Sequence, residues 1–186
     1  MGVIIVAGVP AAGKSTITRL VTEKSGRALR VINFGDEMYR LAKRRRLVKG
    51  KEDLKNQPTA VQEEIQKAVA RRIMEKTNRQ DVLIETDCSI KTPAGYLPGL
   101  PGWILEKLNP SMIILLEADP DEILVRRAMH PDKFEVEYVA TIDEHQRMNR
   151  VLALTYAIFT GATVKIIKNH DGLLDKAIKE MEDSLG

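Results

Sequence analysis

Residues 8–16 read Gly-Val-Pro-Ala-Ala-Gly-Lys-Ser-Thr and combine two glycines, one cation and two hydroxyl side chains. They fit the pattern G-x-x-x-x-G-K-[ST] and directly follow the apolar run Val3–Ala7. A buried strand that leads through such a loop into a helix directs backbone N–H groups at a polyphosphate. We therefore predict a nucleoside triphosphate site at Gly8, Val9, Pro10, Ala11, Ala12, Gly13, Lys14, Ser15 and Thr16.

Individual residues of this loop suit separate tasks. Lys14 can reach the β- and γ-phosphates, and the Ser15 hydroxyl is suited to bind Mg²⁺. Gly8 and Gly13 lie where a Cβ atom would block either the turn or the phosphate. The loop therefore predicts Mg²⁺ as the cofactor that accompanies the triphosphate.

The elements that must position this loop are indicated by apolar runs rich in β-branched residues, which recur at helix-length intervals. These runs are Val3–Ala7, Leu29–Phe34, Val82–Thr86, Met112–Glu117 and Ala162–Ile167. Helices are expected at residues 14–24, 36–46, 58–77, 101–107, 120–129, 139–160 and 171–185. Short, nearly continuous apolar strands that alternate with helices are typical of a parallel sheet covered on both faces. We predict one α/β domain over residues 1–186, a five-stranded parallel sheet of the phosphate-loop (P-loop) NTPase type.

Composition narrows the class of protein. The 186 residues are 44% hydrophobic and 30% charged, and no apolar run approaches the roughly 20 residues of a membrane span. The first strand is expected from residue 3, which leaves no room for a signal peptide. Cys88 is the single cysteine, so an intrachain disulfide is excluded and a cytoplasmic protein is expected. The net charge of +3 gives no general case for nucleic-acid binding.

Polar residues follow several predicted strands, at the edge where parallel sheets bind ligands. Asp36 comes shortly after the predicted strand that ends at Phe34, and Asp87 comes directly after the one that ends at Thr86. Residues 169–172 follow the last predicted strand. A kinase that holds two phosphate groups together needs cations, because unit charges about 4 Å apart repel by about 4 kcal/mol at an effective dielectric of about 20. The available cations are Lys91, Arg126, Arg127, Arg147 and Arg150. A GTPase is disfavoured, since the stretch Asn-His-Asp at 169–171 lacks the lysine of Asn-Lys-x-Asp.

Four stretches resemble archaeal-type adenylate kinase. They are Asn-Phe-Gly-Asp at 33–36, Ile-Lys-Thr-Pro-Ala-Gly-Tyr-Leu-Pro-Gly-Leu-Pro at 90–101, Asp-Glu-His-Gln-Arg-Met-Asn-Arg at 143–150 and Thr-Gly-Ala-Thr-Val-Lys-Ile-Ile-Lys-Asn at 160–169. The similarity runs essentially from end to end. It implies reversible phosphoryl transfer from MgATP to AMP, giving two ADP, by a cytoplasmic enzyme that is commonly a homotrimer.

The resemblance also assigns residues. Asn169 should lie beside the ATP base, and the strand-end acidic residue falls on Glu85, a longer carboxylate than the family's usual aspartate, which could hold magnesium through water. Arg150 should lie between the two phosphate groups, while Arg127 and Lys133 close a lid at about residues 127–138. The AMP side combines a segment at about 33–77 with the loop 89–100. Its binding residues should be Phe34, Gly35, Asp36, Met38, Lys91, Tyr96 and Leu97.

This chain departs from the family pattern in the lid and in the residues expected to recognise the nucleotide bases. Lys133 stands in a lid that often carries several arginines, and lysine cannot make the bidentate phosphate grip of arginine. We therefore expect slower turnover or looser closure than in an arginine-rich lid. The AMP loop also shows no obvious side-chain reader of adenine, so base discrimination is expected to be modest.

Two alternative functions remain open at this point. One is a small P-loop kinase with a different or broader nucleotide acceptor. The other is an RNA-associated assembly ATPase, supported only by the basic cluster Lys43–Arg46 with Lys49, Lys51 and Lys55. Separately, the stretch Leu152–Phe159 is apolar on most sides of its predicted helix, which favours a contact between subunits.

Overall fold

The computed structural model describes residues 2–24, 26, 29–54, 56–77, 81–92, 94–132, 134 and 137–186. The strands are β1 (Val3–Ala7), β2 (Leu29–Asn33), β3 (Asp81–Thr86), β4 (Ser89–Thr92), β5 (Gly95–Pro98), β6 (Met112–Glu117) and β7 (Thr163–Lys168). The helices are α1 (Lys14–Lys24), α2 (Phe34–Arg44), α3 (Thr59–Thr77), α4 (Gly102–Leu108), α5 (Pro120–Ala128), α6 (Val139–Thr160) and α7 (Leu174–Leu185). A 3₁₀ turn spans Glu52–Leu54, and no helix in these ranges is long and apolar enough to cross a membrane.

Strand β1 lies in the middle of a five-stranded parallel sheet of order β2-β3-β1-β6-β7. At its carboxyl end Ala7 pairs with Thr86 of β3 and with Leu115 of β6. The strands on either side of β1, β3 and β6, both come later in the sequence. The carboxyl end of β1 therefore lies at the point where the strand order reverses, which is the crevice where α/β sheets bind ligands. The phosphate loop starts in this crevice.

Alternating strand residues fill two separate cores, because successive side chains of a strand point to opposite faces. Ile5 and Ile84 pack on one face in a cluster that includes buried residues of α2, α3, α4 and α6. Val6 and Ile114 pack on the other face, against buried residues of α1, α5 and α7. The predicted sheet with helices on both faces is confirmed.

The expectation of a loop at residues 89–100 was wrong in part. Ser89–Thr92 and Gly95–Pro98 form an antiparallel hairpin in which Lys91 pairs with Tyr96. The Thr92 hydroxyl donates to the Gly95 carbonyl oxygen at 2.8 Å, which closes the turn. Strands of four residues give too short an alternation to be recognised beside Pro and Gly in the sequence.

Two helices begin two or three residues away from their predicted starts, and α3 and α4 begin one residue later than predicted. Helix α2 begins at Phe34 because the Asn33 side chain caps it, accepting from the Asp36 backbone N–H at 3.0 Å. Helix α7 begins at Leu174, three residues later than expected, after Gly172 adopts a φ of +77°. The residues before α7 are thereby left as a loop at the carboxyl edge of the sheet.

Candidate active site

The phosphate loop requires glycine at two positions for steric reasons. A Cβ atom on Gly8 would lie 2.3 Å from the Leu116 carbonyl oxygen of the neighbouring strand β6. Gly13 has a φ of +96°, and a Cβ there would lie 2.2 Å from Nδ2 of Asn169. The loop therefore packs tightly between β6 and the segment after β7.

Lys14 closes this loop from inside. Its ammonium donates to the carbonyl oxygens of Gly8 at 2.6 Å and Val9 at 3.4 Å, and pairs with Asp87 Oδ1 at 3.2 Å. Asp87 directly follows β3, where the sequence predicts a polar strand exit but no specific role. Lys14 is thus held at the loop beside an anionic partner, an arrangement that fits its predicted contact with phosphate.

Glu85 and Ser15 bring two oxygen ligands together beneath the loop. The Ser15 hydroxyl donates to Glu85 Oε2 at 2.7 Å, and Asn33 Nδ2 reaches the same oxygen at 3.4 Å. The Thr18 hydroxyl donates to the other carboxylate oxygen of Glu85. Glu85 is only 4% exposed to solvent. A hydroxyl and a carboxylate are ligands that Mg²⁺ accepts, so these residues fit a cation carried by a triphosphate.

Arg127 reaches the phosphate loop from the end of α5. Its Nε and Nη2 donate to the Pro10 carbonyl oxygen at 3.2 and 3.0 Å, and its guanidinium forms an ion pair with Glu137. The guanidinium carbon lies 5.6 Å from the centre of the Phe134 ring. Arg127 is 5% exposed, and this burial lowers the pKa of its guanidinium. Lys133, the other predicted lid cation, lies outside the described residues.

Arg150 projects from α6 to the carboxyl end of β6. Its Nε and Nη2 donate to the two carboxylate oxygens of Glu117 at 2.7 and 2.6 Å. Lys168 at the end of β7 donates to the same carboxylate at 2.8 Å. Sequence analysis gave Glu117 and Lys168 no role, although both occupy the last position of a strand at the ligand-binding edge.

Asn169 joins the phosphate loop to the end of the sheet. Its Nδ2 donates to the Ala12 carbonyl oxygen at 2.9 Å, and its backbone N–H donates to Glu117 O at 2.7 Å. A cleft of about 480 Å³ opens beside it. The cleft is lined by Ala11, Gly13, Thr16, Arg126, Met129, His130, Asn169, His170, Asp171, Gly172 and Leu174.

Comparison with known proteins identifies the family. A family model described as an AAA domain matches residues 7–143. The adenylate kinase of Methanopyrus kandleri is 45% identical over 190 residues, covering 100% of this chain and 98% of that protein. The adenylate kinase of Methanocaldococcus jannaschii is 44% identical over 187 residues, covering 98% and 97%. This chain belongs to the adenylate kinase family.

A solved structure supports the fold of this adenylate kinase family member. Shikimate kinase from Bacteroides thetaiotaomicron aligns with a TM-score of 0.56 and 18% sequence identity, over 99% of this chain and 98% of that one. At that identity the likeness concerns the fold alone. The P-loop NTPase architecture predicted from the sequence is confirmed.

Residues predicted for the AMP side of this adenylate kinase family member lie on α2 and on the hairpin. The Phe34 side chain is buried in the core, so only its backbone is free for a ligand, and Met38 packs against the same core. Gly35 and Asp36 lie in the first turn of α2, and Asp36 pairs with Lys51 at 2.6 Å. Lys91 lies 3.6 Å from Glu137, the Tyr96 ring lies 5.3 Å from that of His145, and Leu97 is exposed.

Glu137 therefore contacts cations from both predicted nucleotide sites. It pairs with Arg127, which touches the phosphate loop, and with Lys91, which lies on the hairpin. No sequence motif singled out Glu137, which follows Arg127 by 10 residues and Lys91 by 46 residues. Within the described residues, four of the predicted cations are each held by a carboxylate: Lys14 by Asp87, Arg150 by Glu117, and Arg127 and Lys91 by Glu137.

Proposed function

We propose that this protein reversibly transfers the γ-phosphoryl group of MgATP to AMP, forming two ADP. The observation that carries the proposal is full-length identity of 44–45% to relatives named adenylate kinase, with an intact phosphate loop. In this proposal the chain works as one kinase domain over residues 1–186, with an AMP-binding segment at about 33–77 and a lid at about 127–138.

The chemistry requires positioning and charge neutralisation rather than a covalent protein intermediate. The attacking phosphate oxygen of AMP is already anionic, so no general base is needed. We assign Lys14 to the β- and γ-phosphates, Arg127 with Lys133 to the closing lid, and Arg150 to the space between the two phosphate groups. Fixed cations there stabilise charge on the phosphoryl group as it transfers.

Mg²⁺ would be held by the Ser15 hydroxyl and, through water, by Glu85. When bound, it neutralises charge on the phosphate oxygens of ATP. Glu85 itself keeps Ser15 oriented, since their oxygens are 2.7 Å apart. On the acceptor side we assign the AMP phosphate to Lys91, with Gly35, Asp36, Tyr96 and Leu97 around the nucleoside.

A coupled assay of ADP formation tests the activity directly. We expect ADP from ATP only when AMP is present, and a loss of about 1,000-fold or more in Lys14→Met, since a phosphate-binding cation disappears. The matched control is Lys67→Met, which removes an exposed lysine paired with Glu63 on α3. ATP hydrolysis that responds to RNA and ignores AMP would instead favour the assembly ATPase.

The basic cluster provides little support for that RNA-linked alternative. Arg45 pairs with Glu64 at 2.6 Å, and Lys51 pairs with Asp36 at 2.6 Å. Lys55, also part of the predicted cluster, lies outside the described residues. Paired cations attract a polyanion less than free ones, so nucleotides remain the preferred partners.

Base discrimination is proposed to be modest, which would broaden the acceptor range. Contacts to the ATP base would come largely from the backbone of residues 169–172. A panel of nucleoside mono- and triphosphates tests this idea. Discrimination above about 10⁴ in favour of adenine at both sites would contradict it, since that is the range of dedicated hydrogen-bond readout.

We also propose a cytoplasmic homo-oligomer, with the trimer favoured by family resemblance. Helix α6 exposes Val151, Leu154 and Ile158, an apolar stripe that an isolated subunit would leave in water. The single cysteine, Cys88, is a buried free thiol, and burial raises its pKa to about 12. An unpaired cysteine is compatible with a reducing compartment.

A further inference from the structure

Helix α5 directs two charged side chains at the loop formed by residues 169–172, here named the base loop. Glu122 and Arg126 are four positions apart and so share one face of the helix. Both contact the base loop, although about 45 residues separate them from it in the sequence. The base loop also lines the 480 Å³ cleft beside the phosphate loop.

Glu122 uses both carboxylate oxygens. Oε1 accepts from the Asp171 backbone N–H at 2.8 Å, and Oε2 accepts from the Asp119 backbone N–H at 3.0 Å. His170 Nδ1 lies 3.1 Å from Oε2. Desolvation raises the pKa of Glu122, but hydrogen bonds from Asp171, Asp119 and His170 outweigh it and lower that pKa. Glu122 therefore remains an anion that accepts from the base loop.

Arg126 holds the same loop and also reaches the phosphate loop. Its Nη2 donates to the Asn169 carbonyl oxygen at 2.8 Å and to Asp171 Oδ1 at 2.6 Å, and Nε reaches that carboxylate at 3.0 Å. Its Nη1 lies 3.4 Å from the Ala11 carbonyl oxygen. One guanidinium thus joins the two loops that border the cleft.

A metal site is a poorer interpretation of these groups. Asp119, Glu122 and His170 each place a ligand atom within 4.8 Å of the others. Both oxygens of Glu122, however, already accept backbone N–H groups. A cation would have to displace these bonds and leave the amide donors without their acceptor, at a cost in free energy.

We propose that Glu122 and Arg126 are positioning residues that fix the base loop against the phosphate loop and thereby set affinity for ATP, but not for AMP. The inference rests on the proposed function only in assigning the cleft to ATP. Apart from the Asp119 N–H bond that caps α5, the backbone bonds that it invokes lie between α5 and the two loops at the cleft. The AMP candidates lie on other elements, α2 and the β4–β5 hairpin.

The test uses Glu122→Gln and Arg126→Ala in the full chain, with binding of ATP and AMP measured separately by calorimetry. An amide offers one acceptor oxygen in place of two, so Glu122→Gln loses at least one backbone bond. We expect the dissociation constant for ATP to rise about tenfold in each variant. The constant for AMP should stay within about twofold, since its candidate site keeps its contacts.

Arg19 and Glu23 provide the matched control, since they form an exposed arginine–glutamate pair four residues apart on α1. Glu23→Gln and Arg19→Ala should leave both dissociation constants unchanged. The double variant of Glu122 and Arg126 should weaken ATP binding by less than the product of the single effects, because both act on one loop. Should a single variant not fold, Asp171→Ala removes the side-chain partner of Arg126 without altering α5.

An unchanged ATP constant in folded Glu122→Gln would overturn the proposal, as would an equal loss of AMP affinity. Glu122→Gln is the deciding variant, because Arg126 itself lines the cleft and Glu122 does not. Failure of the proposed function has a different signature. Wild-type protein would then make no ADP from ATP and AMP, whereas calorimetry would still report whether the two α5 residues control ATP binding.

Discussion

Arg150 and Glu117 meet through two parallel hydrogen bonds, from Nε at 2.7 Å and from Nη2 at 2.6 Å. Glu117 is 2% exposed, so its carboxylate depends on Arg150 and Lys168 for compensation. A bidentate pair fixes the plane of the guanidinium as well as its position. Nη1 takes no part in the pair, and under the proposed function it is the nitrogen that would approach a phosphate group.

The first prediction concerns this pair. Glu117→Gln should lower kcat about tenfold while changing either KM less than threefold, because Arg150 loses its fixed plane. Steady-state kinetics with ATP and AMP measure both constants. Asp143→Asn is the control, since it removes the partner of the exposed Arg147 on the same helix. An unchanged kcat in Glu117→Gln would show that Arg150 needs no such alignment.

The second prediction follows from the pKa of Glu117. Desolvation raises this pKa, but hydrogen bonds from Arg150 and Lys168 outweigh it and keep it below the ordinary 4.5. A lowered pKa in the folded state stabilises the protein above the unfolded-state pKa, and that stability is lost as pH falls through the folded-state pKa. Unfolding free energy should therefore fall less on acidification below 4.5 in Glu117→Gln than in wild type. Denaturant titrations of both proteins at several pH values measure how unfolding free energy depends on pH. The same decrease below pH 4.5 in Glu117→Gln and in wild type would contradict the prediction.

The third prediction concerns Glu137, which pairs with both Arg127 and Lys91. Under the proposed function, its carboxylate would compete with phosphate for these cations. Glu137→Gln should lower the KM for ATP and for AMP about threefold each, because the cations become free for substrate. Asp121→Asn, at an exposed position on α5, removes the same charge elsewhere and should leave both constants unchanged. A higher KM in Glu137→Gln would mean that Glu137 orients the cations for substrate instead.

The fourth prediction concerns the lid cation Lys133, which the described residues do not include. Arg has a planar fork that grips phosphate in two places, whereas Lys acts as a point charge. Lys133→Arg should therefore raise kcat about threefold. Turnover that stays equal to wild type or falls would count against the expected role, and Lys107→Arg on α4 controls for the change of cation alone.

The fifth prediction concerns the apolar stripe on α6. Val151, Leu154 and Ile158 are 58%, 58% and 83% exposed, and their spacing of three and four places them on one side of the helix. Leu154→Glu with Ile158→Lys should convert the oligomer to monomers in sedimentation velocity, because charges would be buried at the contact. Leu47→Glu, at another exposed apolar position, should leave the sedimentation profile as in wild type. A monomeric wild type would refute the proposed assembly.

The sequence by itself determined the elements that local pattern encodes. The phosphate loop, helices α1 and α6 and the five parallel strands were predictable because apolar periodicity and glycine spacing act over a few residues. The strand ends also indicated where a ligand would bind. Short-range signals failed at the β4–β5 hairpin, where four-residue strands adjoin Pro and Gly.

Only the tertiary structure decided which carboxylate holds which cation. Lys14 meets Asp87 from 73 residues away, and Arg150 meets Glu117 from 33 residues away. Sheet order places Lys14 near Asp87, and the packing of α6 against β6 places Arg150 near Glu117. A single sequence carries no signal for either arrangement. Sequence therefore determined the residue types suited to bind phosphate, while the folded chain selected the partners that position them.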